Sequence, residues 1–198
     1  MNISLRCLLF ALIALFGIGA QALHAGSPPP TGTPSDSVYQ LDAALTDQDG
    51  RALHFAEGRG KPRLVSMFYS TCPFMCPLII DTIKKTEHAL PESDRKQLEV
   101  LLVSFDAERD TPAVLKAMAG KRHIDTPRWT LAHASAADVR SIAAVLGIQY
   151  RQLQNREFSH SSVLVLLDAQ GRIVARTEKL GEPDADFVAA VARVLGAR

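Results

Sequence analysis

The chain has 198 residues, a formal net charge of +1 and an apolar fraction of 47%. This length predicts one folded domain with short additions. The near-neutral charge, with neither a basic patch nor an acidic tract, argues against a nucleic-acid binder and against a disordered chain.

Residues 1–25 have the features of a secretory signal peptide. A positively charged start precedes an apolar run, Cys7 to Ala20, and an Ala-x-Ala cleavage pattern ending at Ala22, with a second cleavage position after Ala25. The apolar run is short for a membrane span, so cleavage is preferred and an uncleaved membrane anchor is the alternative. Both predict an exported protein, in the periplasm or on the outer face of the cytoplasmic membrane.

Export restricts what the three cysteines of the chain can do. Cys7 lies in the segment that is predicted to be removed, which leaves Cys72 and Cys76 in a compartment that permits disulfides. Because no other cysteine remains, these two can pair only with each other or with another molecule.

Residues 26–37 are rich in Pro, Gly and Ser and predict a flexible linker, so the folded domain is expected over 38–198. The domain should open with a β-hairpin, formed by strands at 38–45 and 52–55 around an Asp-Gly turn.

Strands and helices then alternate, which predicts an α/β sheet with helices on both faces. Continuous apolar runs predict buried strands, and Pro, Gly and capping residues set the helix ends. Strands are predicted at 63–69, 98–105, 129–132 and, weakly, 148–153. Helices are predicted from the cysteine turn to Leu90, from a cap at Asp110 or Thr111 to Lys121, and from Ser135 to Leu146. A second hairpin is predicted at 161–177, followed by a last helix at 183–195.

Cys72 and Cys76 lie where the strand at 63–69 turns into a helix. Residues i and i+4 share a helix face, and a Cα separation of roughly 6 Å suits a disulfide. The reduced pair offers two sulfurs to a soft metal ion, and a helix N-terminus favours the thiolate. The pair is therefore predicted to be a redox couple, a metal clamp or both, with two buried structural cysteines or an inert disulfide as the alternative.

This order of elements is that of a thioredoxin-like domain, with the N-terminal hairpin and a helical segment as additions. Sites in open α/β sheets lie beyond the carboxyl ends of the parallel strands, where Cys72 and Asp106 both fall. Asp106 and Asp110 are expected to solvate the strand end and cap the next helix, and Asp106 or Arg109 contacting a partner protein is the alternative.

The chain resembles the Sco/SenC family of copper-binding, thioredoxin-like proteins that serve cytochrome c oxidase assembly. The matching residues are Tyr69 to Pro77 (YSTCPFMCP), Val103 to Asp106, Arg109 to Pro112, and His160 to Ser162. The resemblance implies a copper site made of Cys72, Cys76 and His160. This chain has Ser159 where the family often carries an acidic residue, and no carboxylate stands between the two cysteines.

His160 is set apart from the other five histidines by its position. Thioredoxin-like redox enzymes carry a cis-proline near this place, whereas this chain has no proline between Pro127 and Pro183. Two thiolates and an imidazole suit Cu(I), and could hold Cu(II) with a further ligand; structural zinc normally takes four protein ligands. The site is expected to close when the polar loop at 153–159 docks on the cysteine turn.

Two functions follow from this pattern. The leading hypothesis is an exported copper metallochaperone, which passes copper by ligand exchange to the copper-accepting subunit of a respiratory oxidase. The alternative is an enzyme, a thiol-disulfide reductase whose redox pair, Cys72 and Cys76, keeps the acceptor's cysteines reduced. A second copper chaperone or a thiol-disulfide oxidoreductase is a further expected partner. A peroxiredoxin-type peroxidase is disfavoured, because residues 64–71 lack the Pro-x-x-x-Thr-x-x-Cys turn.

Overall fold

The computed structural model of the chain describes residues 32–196, so the signal-peptide prediction lies outside the described residues. Their strands are β1 (Ala44–Asp47), β2 (Ala52–His54), β3 (Arg63–Phe68), β4 (Glu99–Ser104), β5 (Trp129–Ala134), β6 (Tyr150–Gln152), β7 (Phe158–His160), β8 (Leu164–Leu167) and β9 (Ile173–Thr177). Their α-helices are α1 (Met75–His88), α2 (Glu92–Arg95), α3 (Pro112–Lys121), α4 (Ala136–Val145) and α5 (Ala185–Gly196), and short 3-10 helices cover Val38–Gln40 and Phe55–Gly58.

Seven of the strands form one mixed sheet in the order β2-β1-β5-β4-β3-β8-β9. Strands β3, β4 and β5 run parallel, whereas β1 joins β5 and β8 joins β3 in antiparallel pairs. Every residue of β3 is buried, and so is all of β4 except its first residue. Successive strand residues point to opposite faces, so both faces of the sheet centre are covered. The predicted α/β sheet is confirmed.

The ends of β3 and β4 form the rim that carries the candidate site. Phe68 and Ser104 are opposite each other in the parallel ladder, and the N–H of Phe105 donates to the carbonyl of Phe68 at 2.7 Å. The two strands therefore end level, and the chain segments that follow them, to Cys72 and to Asp106, leave the sheet side by side.

Helix α1 begins at Met75, so Cys76 is its second residue and Pro77 its third. Proline is tolerated there because the first-turn N–H groups have no partner within the helix. Cys76, Ile80 and Ile83 are fully buried on the side of α1 that faces the core. The helix ends at His88, two residues before the predicted end.

One predicted segment is wrong in detail, and one short helix was missed. The stretch 38–45 is not one strand, because Val38–Gln40 forms a 3-10 helix whose N-cap, Ser37, accepts the N–H of Tyr39. The Tyr39 ring packs edge-on against Phe55 at 5.9 Å and lies where a side chain at Gly171 would have to be. Burying this ring turns the backbone out of the strand. The helix α2, directly after Pro91, was not predicted.

The segment around His160 differs most from the prediction. Strand β7 pairs with β6 in a separate two-stranded hairpin, in which Tyr150 lies opposite His160. The weak strand predicted at 148–153 is thus real but shorter. The expected loop at 153–159 is only the turn 153–157, because the next residues form β7. His160 therefore ends a hairpin and does not sit in an open loop.

Part of the predicted linker falls within the described residues. Asp36 pairs with the guanidinium of Arg172 at 3.0 Å, and Ser37 forms a β-bridge to the same residue. This end of the linker contacts the β8–β9 hairpin. Over residues 32–196 no helix combines the length and the apolar character needed to cross a bilayer.

A buried carboxylate organises the first hairpin turn. Asp47 accepts the N–H groups of Asp49 and Arg51 at 2.8 and 2.9 Å, and Nε of Arg51 at 2.9 Å. Burial alone would raise the pKa of Asp47, but these hydrogen bonds, chiefly those from Arg51, outweigh it and lower the pKa. Gly50, with φ of 81°, supplies the left-handed residue of the turn.

We expect Asp47→Ala to lower the free energy of unfolding by about 1–3 kcal/mol near pH 7, because the hydrogen bonds that Asp49 and Arg51 donate to this buried carboxylate are lost. The folded-state pKa lies below the unfolded value of about 3.9, so this stability is complete above that value and is lost as pH falls through the folded pKa. Urea denaturation near pH 7 and near pH 3 measures the loss. Asp49→Ala, which removes an exposed carboxylate paired with Lys116, is the control. If the difference in free energy of unfolding between wild type and Asp47→Ala does not shrink near pH 3, the ionised Asp47 carboxylate is not the stabilising group.

Candidate metal centre

Three ligand atoms meet at the rim of the sheet. The sulfurs of Cys72 and Cys76 and a ring nitrogen of His160 all lie within 4.8 Å of one another. Cys72 belongs to the β3–α1 turn, Cys76 to the first turn of α1, and His160 to the end of β7. Both cysteines are free thiols; Cys72 is partly buried and Cys76 is fully buried. The structure brings together all three residues that the sequence predicted as a set.

Backbone N–H groups of the turn point at both sulfurs. The N–H of Cys76 donates to Sγ of Cys72, and the N–H of Tyr69 donates to Sγ of Cys76, each at 3.4 Å. Burial disfavours a thiolate at Cys72, but hydrogen bonds, first those from Cys76 and then the one from the N–H of Phe74, outweigh it and lower the pKa of Cys72. These donors favour the thiolate at Cys72 over the thiolate at Cys76.

Cys76 has the opposite character. Its burial raises the pKa of the thiol well above the usual range, and the negative charges of Cys72 and Asp110 raise it further. In the reduced, metal-free protein Cys76 is therefore the protonated partner of an activated Cys72. A nucleophile beside a protonated, buried thiol is an arrangement that thiol-disulfide exchange requires.

The His160 imidazole is oriented for a metal. Its Nδ1 lies 3.1 Å from the carbonyl oxygen of Ser161. Because a carbonyl only accepts, Nδ1 carries the proton and Nε2 keeps its free lone pair. Burial lowers the pKa of His160, which favours the neutral ring that binds a cation. The ring packs against Phe105 at 4.9 Å and edge-on to Tyr69 at 6.1 Å.

The hairpin that carries His160 is tied to the cysteine turn and to the end of β4. The Tyr69 hydroxyl donates to Oε2 of Glu157 at 2.8 Å, and burial together with this bond raises the pKa of Tyr69, which keeps the donor protonated. Nη2 of Arg109 donates to the carbonyl of Arg156 at 2.6 Å. These bonds hold the hairpin turn, in which Arg156 adopts a left-handed φ of 64°.

Asp106 and Arg109 have a different role from the one predicted. Asp106 is buried and accepts both the N–H and Nε of Arg109. It therefore orients the arginine that holds the His160 hairpin, and it neither solvates the strand end nor presents itself to a partner. In the sequence, the signal for this role is the Asp-x-x-Arg spacing directly after a buried strand. Both residues belong to the family resemblance, but the resemblance does not imply this role.

Asp110 is the functional residue that sequence reasoning missed. It does not cap α3, because the cap is Thr111, whose hydroxyl accepts the N–H of Val114. The Asp110 carboxylate is fully buried and accepts the N–H of Ser70 at 2.9 Å, as well as the hydroxyls of Ser70 and Ser104. It fixes the start of the cysteine turn. No periodicity in the sequence marks a buried acid at this position.

The four other histidines within the described residues lie away from this cluster. His54 pairs with Asp42 on the surface, and His88 contacts the carbonyl of Lys84. Neither these nor His123 and His133 share a group of metal-ligating atoms among residues 32–196. Their surface or capping roles agree with the expectation for isolated histidines.

The donor set decides which metal the site fits. Two sulfurs and one imidazole nitrogen, without a carboxylate, suit a soft ion such as Cu(I) and disfavour oxygen-seeking Mg²⁺ or Ca²⁺. A groove of about 460 Å³ opens on the His160 side of the cluster. Phe74, 79% exposed, and Met75, 39% exposed, stand at its edge. This groove thus gives an incoming ligand access to Cys72 and His160.

These features define a class of thiol- and metal-handling domains. Its members combine a thioredoxin-like α/β sheet with a Cys-x-x-x-Cys turn and a remote histidine on the same rim. The sequence profile of the SCO1/SenC family matches residues 33–196, and the chain belongs to this family. The SCO2-like protein of Rickettsia typhi is 24% identical over 138 residues, which are 66% of this chain and 65% of that protein. The chain thus spans just under two thirds of this relative's length.

Solved structures share the fold. Copper-bound ScoI of Arabidopsis thaliana has a TM-score of 0.68 and 19% identity, over 80% of this chain and 98% of that one. BsSco, a Sco protein of cytochrome c oxidase assembly with a disulfide switch, has a TM-score of 0.69 and 17% identity, over 84% and 98%. A SCO1/SenC family lipoprotein of Bacillus anthracis has a TM-score of 0.70 and 20% identity, over 78% and 93%. The predicted family and thioredoxin-like fold are confirmed.

We expect Cys72 to react with iodoacetamide at least about 10-fold faster than Cys76 at pH 7, because Cys72 is more exposed and more thiolate in character. Single-cysteine variants, Cys76→Ser and Cys72→Ser, separate the two rates by mass spectrometry. In urea, where the protein is unfolded, the two thiols should react at equal rates, which controls for their intrinsic reactivity. A faster Cys76 in the folded protein would refute the assignment of the two thiols.

We expect Tyr69→Phe to accelerate amide hydrogen exchange in β7 by roughly 5–10-fold, because one hydrogen bond of about 1 kcal/mol holds Glu157 to the cysteine turn. Tyr150→Phe is the matched control: Tyr150 packs in the same aromatic cluster, and its hydroxyl has no hydrogen-bond partner within residues 32–196. Equal exchange in both variants would show that the Tyr69 hydroxyl does not hold the hairpin.

Proposed function

We propose that this protein binds copper through Cys72, Cys76 and His160 and delivers it to the copper-accepting subunit of a respiratory oxidase. The observation that carries the proposal is the convergence of two sulfurs and one imidazole nitrogen within 4.8 Å. These three donors complete a trigonal set, which suits Cu(I). Cu(II) would require a further ligand. The family and its copper-bound member support the choice of copper over zinc.

The geometry also supports release of the metal. Cys72 and His160 both line the open groove, whereas Cys76 is only 1% exposed. A sulfur or imidazole of an acceptor would approach from the groove and replace Cys72 or His160 first. Cys76 would be replaced last, because its sulfur lies deepest. An imidazole carried on a separate hairpin can leave without unfolding the cysteine turn.

The alternative function, thiol-disulfide reduction, is favoured by the unequal character of the two thiols. The Cys72 thiolate would attack a partner disulfide and form a mixed disulfide, releasing one partner thiolate. Cys76 would then lose its proton and attack the Cys72 sulfur, which frees the second partner thiolate. Two electrons pass from the cysteine pair to the partner, and the pair ends as the Cys72–Cys76 disulfide. The disulfide switch of BsSco supports this chemistry.

The place of action is the export side of the membrane. The signal-like N-terminus favours the periplasm or the outer face of the cytoplasmic membrane, and the Bacillus anthracis relative is a lipoprotein. A second copper chaperone would supply the metal, or a thiol-disulfide oxidoreductase would reset the cysteine pair. Membrane contact would come only through an uncleaved N-terminus.

We expect the reduced protein to bind one Cu(I) per chain and the disulfide-bonded protein to bind none, because a bridged sulfur is not a thiolate ligand. His160→Ala should weaken Cu(I) binding by at least about 10-fold, since one of three donors is lost. Competition against a chromogenic Cu(I) chelator measures both, with His133→Ala as the control. Stoichiometric copper on fully oxidised protein would disprove the proposed ligand set.

The same His160→Ala variant separates the two functions. A reductase needs both cysteines but not the imidazole, so its disulfide-reducing rate should stay within about twofold of wild type. A chaperone needs all three residues, so oxidase copper loading should fail. If loading survives in this variant while thiol exchange collapses, the copper proposal is wrong.

A further inference from the structure

The cysteine pair can be reached from two sides. The groove described above is shared by Cys72 and His160. A second groove, of about 260 Å³, lies between the cysteine turn and α3 and is lined by both cysteines but not by His160. This α3 groove therefore reaches the sulfurs without meeting the imidazole, which suits thiol chemistry better than metal exchange.

One face of α3 forms the wall of this groove. Val114, Ala117, Met118 and Lys121 all line it, and their spacing of three, four and seven residues places them on a single helix face. The N-terminal end of α3 lies beside the cysteine turn, because Asp110 holds Ser70. Seven residues of helix rise about 10 Å, so Lys121 lies about that far along the groove from its cysteine end.

The far end of the α3 groove is cationic. Lys121 and Arg122 line it, and no carboxylate does. Lys84 adds a third positive charge, and its Nζ donates to the carbonyl of Arg122 at 2.5 Å. This carbonyl is thus already satisfied. Within residues 32–196, none of the three cations pairs with a carboxylate. The groove near His160, by contrast, contains Glu157.

We propose that the α3 groove docks an acidic, cysteine-containing segment of a partner polypeptide for thiol-disulfide exchange at Cys72. The partner's sulfur meets Cys72, an apolar side chain lies on Val114 and Met118, and a carboxylate reaches Lys121 or Arg122. An extended chain advances about 3.3 Å per residue, so the acid stands roughly two to four residues from the partner's cysteine. The inference rests on the reductase part of the proposed function, and the exchange follows the same two steps, with attack by Cys72 and resolution by Cys76.

Two disulfides of opposite charge test the docking. Oxidised glutathione is an acidic peptide disulfide and cystamine is a cationic one, and Cys76→Ser protein stops the reaction at the Cys72 mixed disulfide. We expect Lys121→Glu with Arg122→Glu to slow the reaction with oxidised glutathione by about 10-fold and to speed that with cystamine, as steering by a charged groove requires. The effect should fade near 0.5 M salt, where the screening length is about 4 Å.

The matched control reverses two exposed arginines on the other side of the site, Arg140→Glu with Arg151→Glu, and changes the net charge equally. The rates at which this control variant reacts with the two disulfides should stay within twofold of those of the Cys76→Ser parent. Equal effects of the two double variants, or no effect of the first, would overturn the α3 groove. If Cys72 reacts with neither disulfide, the reductase function itself fails, whereas Cu(I) binding by the same charge variants with Cys76 retained reports separately on the metal site.

A redox-inert probe locates the docked peptide. S-methylglutathione keeps both carboxylates of glutathione but cannot exchange. We expect its NMR chemical-shift changes to fall on amides of Val114, Met118 and Lys121 and to vanish in the Lys121→Glu, Arg122→Glu variant. Changes confined to β7, or no changes at millimolar peptide, would overturn the proposal.

Discussion

The buried carboxylate of Asp110 is the constraint on which the site depends. Within residues 32–196 no cation pairs with it, and it is compensated by hydrogen bonds from Ser70, two residues after β3, and Ser104, at the end of β4. A buried charge is tolerated only with such complete hydrogen bonding. The carboxylate therefore locks two parallel strand ends together and fixes the residue that lies two positions before Cys72. A displaced Ser70 would leave this charge unsatisfied, so the cysteine turn has little freedom to shift.

From that fixed turn the two sulfurs acquire different properties. Cys76 is pulled into the core by the apolar side of α1 and lies near the Asp110 charge, so it stays a thiol. Cys72, four residues earlier, is outside the helix and collects the N–H groups that the helix start leaves unpaired. The same turn would thus supply a nucleophile and a resolving thiol to the proposed thiol exchange, and two converging ligands to the proposed metal site.

The sequence was sufficient for the main buried strands and for the cysteine pair, whose signals are local patterns. Continuous apolar runs gave β3 and β4, and the Cys-x-x-x-Cys spacing gave the metal-binding pair. His160 came from its place in the chain and from the family resemblance. The hairpin β6–β7 could not be predicted, because three-residue strands such as Phe158–His160 carry almost no periodicity. Asp110 was hidden for another reason: its partners, Ser70 and Ser104, are brought to it only by tertiary structure.

The imidazole of His160 is held more loosely than the two sulfurs, and under the proposed function this difference would allow transfer of the metal. The sulfurs are set by the sheet rim and by α1, whereas the imidazole depends on a small hairpin attached by Tyr69 to Glu157 and by Arg109 to the carbonyl of Arg156. Small elements with few hydrogen bonds open at lower free energy than the core. A metal bound by all three residues stabilises the attached hairpin, and detachment of that hairpin leaves a two-sulfur site of lower affinity. In the proposed function, release would therefore require only a local opening, while the cysteine turn would stay folded and able to take either copper or a disulfide.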